Sequence, residues 1–180
     1  MEDKDKASII FITGGARSGK SNYAQEQALA LSSAPLYVAT AKMYANDEEF
    51  KQRIQRHKLD RGKRWTLLEE QLHLSKLSMS DKTVVIDCVT LWLTNFFSLH
   101  KYDVENALSA IKAEINQLQK IPATFFIISN EIGMGVHAET EIGRKFTDLQ
   151  GWINQHIARI ANKVVLMVSG IPVTIKEQIW

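Results

Sequence analysis

The sequence predicts an α/β fold in which helices cover both faces of a mainly parallel sheet. Short apolar segments typical of buried strands alternate along the chain with segments of helical periodicity. Strands that alternate with helices form βαβ units, and such units build parallel sheets. Only Ser169 and Gly170 separate the last two strand segments, a pair typical of a tight hairpin. We therefore expect antiparallel strands at the C-terminal edge.

The predicted strands are short runs of mostly apolar residues. The first, SIIFIT at residues 8–13, ends in glycines and has the continuous apolar character of a strand buried on both faces. The segment TVVID at residues 83–87 has the same character. The other predicted strands are residues 35–41, 65–68, 124–129, 163–168 and 171–175.

The predicted helices combine helix-favouring composition with apolar residues at helical spacing. Residues 18–32 are rich in Ala and Leu. Residues 46–60 begin with acidic residues, which are favourable near a helix N-terminus. Residues 104–118 and 139–162 each carry an apolar stripe along one helical face.

Length and composition favour one globular domain. The chain has 180 residues, of which 45% are hydrophobic and 23% charged, and its net charge is +2. That balance gives no reason to expect nucleic acid or an anionic membrane as a partner. We expect residues 1–7 to be a disordered N-terminal extension and residues 8–180 to form a single domain. The sequence has one cysteine, no apolar run long enough to span a membrane and no signal peptide. We therefore expect a cytoplasmic protein.

The most specific motif is a glycine-rich loop between the first predicted strand and the first predicted helix. Residues 14–21 read GGARSGKS and fit the phosphate-binding loop G-x-x-x-x-G-K-[ST]. Backbone N–H groups of such a loop and the N-terminus of the helix after it bind an anion, while Lys20 reaches the β- and γ-phosphates. The fold class is therefore P-loop NTPase-like (RecA-like). The nucleotide-binding residues expected in this loop are Gly14, Gly15, Ala16, Arg17, Ser18, Gly19, Lys20 and Ser21.

Asp87, at the end of the strand TVVID, is the second candidate site residue. Enzymes with a phosphate-binding loop place an acidic residue at the end of a neighbouring strand to hold Mg²⁺, directly or through water. An Asp here could instead cap a turn, but the loop favours the metal role. We expect Ser21 and Asp87 to bind Mg²⁺.

These two elements predict a nucleoside triphosphate and magnesium but do not specify the reaction. A switch GTPase normally carries N-K-x-D after a later strand, whereas residues 129–132 read SNEI and lack the Lys and Asp. The small size and the modest basic content disfavour a motor or helicase ATPase. A small-molecule kinase or a nucleotidyltransferase fits best.

His57 is a candidate nucleophile. Phe50, Ile54 and His57 occupy positions i, i+4 and i+7, so they share one face of the predicted helix and His57 should point inward. Four neighbouring Lys and Arg residues favour the neutral imidazole, which can attack phosphorus to form a covalent nucleotidyl-enzyme intermediate. The alternative is a packed histidine on a solvated basic helix. None of the five histidines shows zinc-pair spacing with another.

Several segments together resemble the adenosylcobinamide kinase/adenosylcobinamide-phosphate guanylyltransferase family. They are the GGARSGKS loop, IQRHK at residues 54–58, WT at residues 65–66 with Glu69, NEIGMG at residues 130–135, and residues 168–176. The resemblance extends over residues 9–176, nearly the whole chain. The phosphate-binding loop is shared by many families, whereas the loop sequence GGARSGKS together with NEIGMG is more specific to this one.

The resemblance implies two reactions of cobalamin biosynthesis on one scaffold. In the first, ATP or GTP phosphorylates the aminopropanol hydroxyl of adenosylcobinamide. In the second, GTP guanylylates His57, pyrophosphate leaves, and GMP passes to adenosylcobinamide phosphate to give adenosylcobinamide-GDP. Lys20 is the second catalytic residue, because charge stabilisation on the β- and γ-oxygens assists both reactions.

The resemblance also implies further contacts and a homo-oligomer, a trimer. Residues 133–135 follow a strand end, where they either shape the corrinoid site or form only a glycine-rich turn. Two positions depart from the family: Arg56 stands where members often carry a second histidine, and Asp87 where relatives can carry Glu. The additional nucleotide-binding residues implied are Ala39, Thr40, Ala41, Lys58, Leu59, Asp60, Arg61, Glu69 and Asp87.

Two alternatives to the bifunctional enzyme stay open. One is a monofunctional P-loop small-molecule kinase, in which His57 has only a structural role. The other is a nucleotide-binding regulatory module without transfer chemistry. They differ from the bifunctional enzyme in whether a covalent nucleotide and a phosphorylated substrate are formed.

Overall fold

The described residues of the computed structural model, 6–42 and 64–177, form a seven-stranded sheet with helices on both faces. Its order is β3-β2-β4-β5-β1-β6-β7, and every neighbouring pair is parallel except β6 and β7. The predicted fold class is confirmed. The strands are β1 (Ser8–Gly14), β2 (Leu36–Ala39), β3 (Thr66–Glu69), β4 (Thr83–Asp87), β5 (Thr124–Ile128), β6 (Lys163–Val168) and β7 (Ile171–Glu177).

Four α-helices connect the strands within the described residues. They are α1 (Lys20–Leu31), α2 (Val89–Leu99), α3 (Val104–Leu118) and α4 (Glu141–Ile160), and a 3₁₀ turn covers Leu74–Lys76. The N-cap side chains Asp103 and Thr140 accept backbone N–H groups at the starts of α3 and α4. Three predicted helices are confirmed, α3 with the predicted ends and α1 and α4 with shifted ends. The predicted helix 46–60 lies outside the described residues, and so do residues 1–5, whereas Ala7 packs against the core.

Helix α2 was not predicted from the sequence. Its residues VTLWLTNFFSL are mostly apolar, and the narrow polar stripe of Thr90, Thr94 and Ser98 contains no charged residue, so the helical period is weak. Six of its eleven residues are buried, among them Trp92 and Phe96. The helix therefore lies in the interior of the fold. It begins directly after β4, the strand that ends at Asp87.

The core consists of two clusters, one on each face of the sheet. Alternate residues of one strand point to opposite faces, so Phe125 and Ile127 join the larger cluster while Phe126 and Ile128 join the smaller one. Helices α2, α3 and α4 cover the larger cluster, and α1 covers the smaller one with Ala24 and Ala28. Strands β1, β4 and β5 were predicted to be buried, and this is confirmed.

The C-terminal hairpin has the geometry that its sequence predicted. Strands β6 and β7 are antiparallel, and the two residues between them, Ser169 and Gly170, both have positive φ angles of 49° and 85°. Two left-handed residues in sequence are typical of the turn that matches the twist of a hairpin.

The carboxyl ends of the parallel strands meet at one edge of the sheet. Asp87 pairs in register with Ala39 on one side and Ile128 on the other, and Ile128 pairs with Ile12 of β1. Residues that follow β1, β2, β4 and β5 are therefore brought together there. The described helices include none that is long and apolar enough to cross a membrane.

Candidate active site

The glycine-rich loop joins β1 to α1 in a conformation that requires glycine at two positions. Gly14 has a φ of 151°, and a Cβ there would lie 2.6 Å from the carbonyl oxygen of Met167. Gly19 has a φ of 94°, and a Cβ there would lie 3.3 Å from the Cα of Gly170. The loop therefore packs closely on the β6–β7 turn, and a larger residue at either position would displace it.

Lys20 places its ammonium group inside the curled loop. Its side chain is 7% exposed and donates to the carbonyl oxygens of Gly14 at 3.0 Å and Gly15 at 2.6 Å, and to the Ser18 hydroxyl at 3.4 Å. These three acceptors are neutral oxygens that solvate the ammonium group. A phosphate entering the loop can replace the carbonyl contacts and take up the ammonium.

Ser21 and Asp87, the two residues expected to bind Mg²⁺, are in direct contact. The Ser21 hydroxyl at the start of α1 donates to Asp87 Oδ2 at 2.8 Å. The Tyr37 hydroxyl donates to the same carboxylate oxygen. Mg²⁺ prefers oxygen ligands and is usually held by one or two carboxylates plus substrate phosphates and water. A hydroxyl and a carboxylate beside the phosphate loop fit that donor set.

Tyr37 is a site residue that the sequence analysis missed. It lies in the middle of β2, and no local motif marks it. The register of β2 against β4 brings its hydroxyl to Asp87, and its ring packs edge-on against Trp65 with centroids 5.7 Å apart. Its contact with the carboxylate depends on which strands are neighbours, which no short stretch of sequence specifies.

The end of β2 is tied to the end of β4 by Thr40. Its hydroxyl donates to the Cys88 carbonyl at 2.8 Å and accepts the Cys88 N–H at 3.0 Å, and its side chain is fully buried. Asn95 of α2 donates to the Thr40 carbonyl at 2.8 Å. Thr40 therefore holds two strand ends together, and the less buried Ala41 beside it is the better placed of the two to touch a nucleotide.

Cys88 directly follows Asp87, the candidate metal ligand, but its thiol is unreactive. Burial, and secondarily the charge of Asp87, raises the pKa of the Cys88 thiol to about 12. The thiol is therefore protonated at neutral pH and is not a nucleophile there.

The other predicted site residues are spread along the same edge or fall outside the described part. Glu69 ends β3 in register with Ala39 and is exposed. Arg17 lies at the exposed tip of the loop with a φ of 57°. The remaining predicted residues lie outside the described residues: His57, Lys58, Leu59, Asp60 and Arg61.

A cavity of about 360 Å³ opens beside the loop. It is lined by loop residues 15–18, by Glu131 and Met134, and by residues 166–169 of the C-terminal hairpin. The sequence analysis did not single out Glu131, although the segment NEIGMG contains it. Its neighbours at residues 133–135 do lie at the ligand-binding edge, as expected.

Comparisons with known proteins agree on one family. A family model described as "Cobinamide kinase / cobinamide phosphate guanyltransferase" matches residues 10–175. A protein of Escherichia coli (strain K12) named "Bifunctional adenosylcobalamin biosynthesis protein CobU" is 38% identical over 183 residues, covering 93% of this chain and 99% of that protein. The protein of the same name from Salmonella typhimurium is 37% identical over 185 residues, covering 93% and 99%. "Bifunctional adenosylcobalamin biosynthesis protein CobP" of Pseudomonas aeruginosa is 36% identical over 172 residues, covering 93% and 97%.

Proposed function

The chain belongs to the cobinamide kinase / cobinamide phosphate guanyltransferase family, and on that premise we propose that it carries out both reactions in cobalamin biosynthesis. It phosphorylates adenosylcobinamide with ATP or GTP. It then transfers GMP from GTP to adenosylcobinamide phosphate, giving adenosylcobinamide-GDP. The observation that carries the proposal is the contact of Ser21 with Asp87 at 2.8 Å beside the loop that encloses Lys20.

The first reaction uses the loop as an electrostatic cradle. Backbone N–H groups of residues 14–21 and the N-terminus of α1 face the β- and γ-phosphates, and Lys20 adds a full positive charge. Bound Mg²⁺, held through Ser21 and Asp87, would supply further charge neutralisation at the phosphate oxygens. Tyr37 orients the Asp87 carboxylate through its hydroxyl.

The second reaction uses the same cradle for a different phosphorus atom. A ring nitrogen of His57 attacks the α-phosphorus of GTP, forming a nitrogen–phosphorus bond while the bond to pyrophosphate breaks. The cradle stabilises the departing pyrophosphate as it stabilised the γ-phosphate. An oxygen of adenosylcobinamide phosphate then attacks the guanylyl phosphorus, and the histidine leaves.

Further parts of the proposal concern contacts and assembly. Ala39, Ala41 and Glu69 lie at the same edge of the sheet as the phosphate loop, since β2, β3 and β4 are in register there. A nucleotide whose phosphates occupy the loop would extend toward these residues. We also propose nucleotide contacts from residues 58–61. A homotrimer without nucleic-acid partners and a cytoplasmic location stay predictions.

Labelling with α-³²P-GTP tests the proposed function. We expect acid-labile, base-stable label on the wild-type protein and none on His57→Ala, because only the phosphoramidate bond carries label covalently. His57→Ala should still phosphorylate adenosylcobinamide, since the kinase step does not use the imidazole. His100→Ala is the matched control, because His100 ends α2 about 16 Å from the site end of that helix.

The same experiment separates the two alternatives. Phosphorylation of adenosylcobinamide without covalent label on the wild-type protein would support a monofunctional kinase. Nucleotide binding with neither product would support a regulatory module. Label that persists in His57→Ala would show that another residue is the nucleophile.

A further inference from the structure

We propose that Glu131 is the general base of the kinase step. Its carboxylate accepts the proton of the substrate hydroxyl while that oxygen attacks the γ-phosphorus. The inference rests on the proposed function and assigns a residue that the phosphate loop itself does not supply. Its basis is the position of Glu131 in the loop cavity, the way its backbone is fixed, and the lack of another suitably placed carboxylate among the described residues.

Glu131 and the phosphate loop line the same cavity. The partly buried Glu131 lines the cavity of about 360 Å³ together with loop residues 15–18. A γ-phosphate held in the loop would lie against this cavity, and a hydroxyl approaching it would enter through the same space. The carboxylate is therefore on the side from which the nucleophile arrives.

The backbone of Glu131 is attached to the strand that carries the loop. The Glu131 N–H donates to the Gly14 carbonyl at 2.9 Å, and the Ser129 N–H donates to the Ile12 carbonyl at 2.9 Å. Asn130 lies between them, and its N–H donates to Thr90 Oγ1 at 3.2 Å. Any movement of Gly14, where the phosphate loop begins, would therefore also move Glu131. The position of Glu131 relative to the loop is thus maintained.

A buried amide network supports the same segment from α4. Asn154 donates to the Asn130 carbonyl at 3.1 Å and accepts the Ser129 hydroxyl at 2.7 Å. Gln150, which is fully buried, donates to both Ser129 Oγ and Asn154 Oδ1 at 3.0 Å. Such a network rigidifies the backbone that it contacts. Residues 129–131 are thus fixed from both the sheet and the helix.

The side chain keeps capacity to accept a proton. Glu131 Oε1 accepts the Gly133 N–H at 3.2 Å, a contact that turns the chain after β5. A carboxylate can accept at both oxygens, so this contact orients the group without consuming it.

Other carboxylates near this edge are occupied or distant in the part of the chain that the structure describes. Asp87 accepts from Ser21 and Tyr37. Glu70 accepts three backbone N–H groups. Glu69 is on β3, four strand spacings from β1, which is about 19 Å.

The proposed step balances without a further reactant. The substrate oxygen forms a bond to the γ-phosphorus, and the bond from that phosphorus to the β–γ bridging oxygen breaks. The hydroxyl proton passes to the Glu131 carboxylate, and the nucleoside diphosphate leaves. The guanylyl transfer differs, because the attacking phosphate monoester is mostly deprotonated at neutral pH and has no proton to lose. Glu131 should therefore matter for the first reaction only.

Glu131→Gln tests this assignment, because the amide keeps an oxygen for the Gly133 N–H but cannot accept the proton. We expect kcat for adenosylcobinamide phosphorylation to fall about 10²–10⁴-fold with little change in KM. Guanylyl transfer to supplied adenosylcobinamide phosphate, measured on the same sample, should stay within about threefold of wild type. That second rate also shows that the variant is folded.

Glu131→Ala distinguishes a base from a turn residue, and Glu139→Gln, an exposed position in the same loop, is the control. A base predicts equal kinase losses in the Gln and Ala variants. A wild-type kinase rate in Glu131→Gln, or equal losses in both reactions, would overturn the assignment while leaving the proposed function intact. Absence of phosphorylation by the wild-type enzyme would overturn both.

Discussion

At the scale of single residues, the contact between Ser21 and Asp87 makes the most direct prediction. Asp87→Asn keeps an oxygen that can accept from Ser21 and Tyr37 but removes the negative charge that would attract Mg²⁺. The Mg²⁺ concentration that gives half-maximal rate should rise about 10–100-fold for both reactions. Initial rates measured against Mg²⁺ concentration check this.

Asp103→Asn is the matched control for that measurement. Asp103 is the N-cap of α3, where Asn serves equally well, so neither stability nor Mg²⁺ dependence should change. An unchanged Mg²⁺ dependence in Asp87→Asn would mean that the carboxylate only anchors Ser21 and Tyr37.

At the scale of elements, helices α3 and α4 form a groove that contains a histidine, and the pKa of this histidine can be measured. The Nε2–H group of His156 in α4 donates a hydrogen bond to Asn116 Oδ1 of α3 at 3.0 Å. Burial, and then the positive charges of Lys112 and Arg159, holds the pKa of His156 below its ordinary value of 6.5. Each of these causes disfavours the imidazolium ion.

The sign of the pH dependence follows from this shift. The folded state binds the His156 proton less readily than the unfolded state, so this residue opposes folding increasingly as pH falls below 6.5. An NMR titration should show a His156 midpoint below 6.5, and Lys112→Gln should raise it because one positive charge is removed. A midpoint that stays the same in Lys112→Gln would leave burial and the charge of Arg159 as the causes.

Comparison of elements also shows how far the sequence could predict this molecule. Strands buried on both faces were recognisable as short continuous apolar runs, and amphipathic helices such as α3 by the periodic spacing of their apolar residues. Helix α2 was not, since its polar stripe is narrow and contains no charged residue. In the site, the loop and Asp87 carried motifs, whereas Tyr37 and Glu131 act through the neighbours that the strand order gives them. Strand order is a property of long-range pairing, and no local stretch of sequence encodes it.

At the scale of the whole molecule, the site and the core share the same strands. Strand β1 lies between β5 and β6 and contributes Phe11 to the larger cluster and Ile12 to the smaller one. The phosphate loop continues directly from this strand. A ligand bound to the loop therefore opposes separation of both clusters together, and neither cluster can lose β1 without the other.

This arrangement predicts that a nucleotide stabilises the chain as one unit. With a non-hydrolysable GTP analogue and Mg²⁺ at 100 times Kd, linkage adds about 2.7 kcal/mol to the free energy of unfolding. For a chain of this size, that corresponds to a rise in Tm of about 5–11 °C. Lys20→Ala should lose most of this rise, because the ammonium inside the loop no longer binds the phosphates. Calorimetry should show a single transition that shifts as a whole, whereas two transitions of which only one responds would show that the clusters unfold separately.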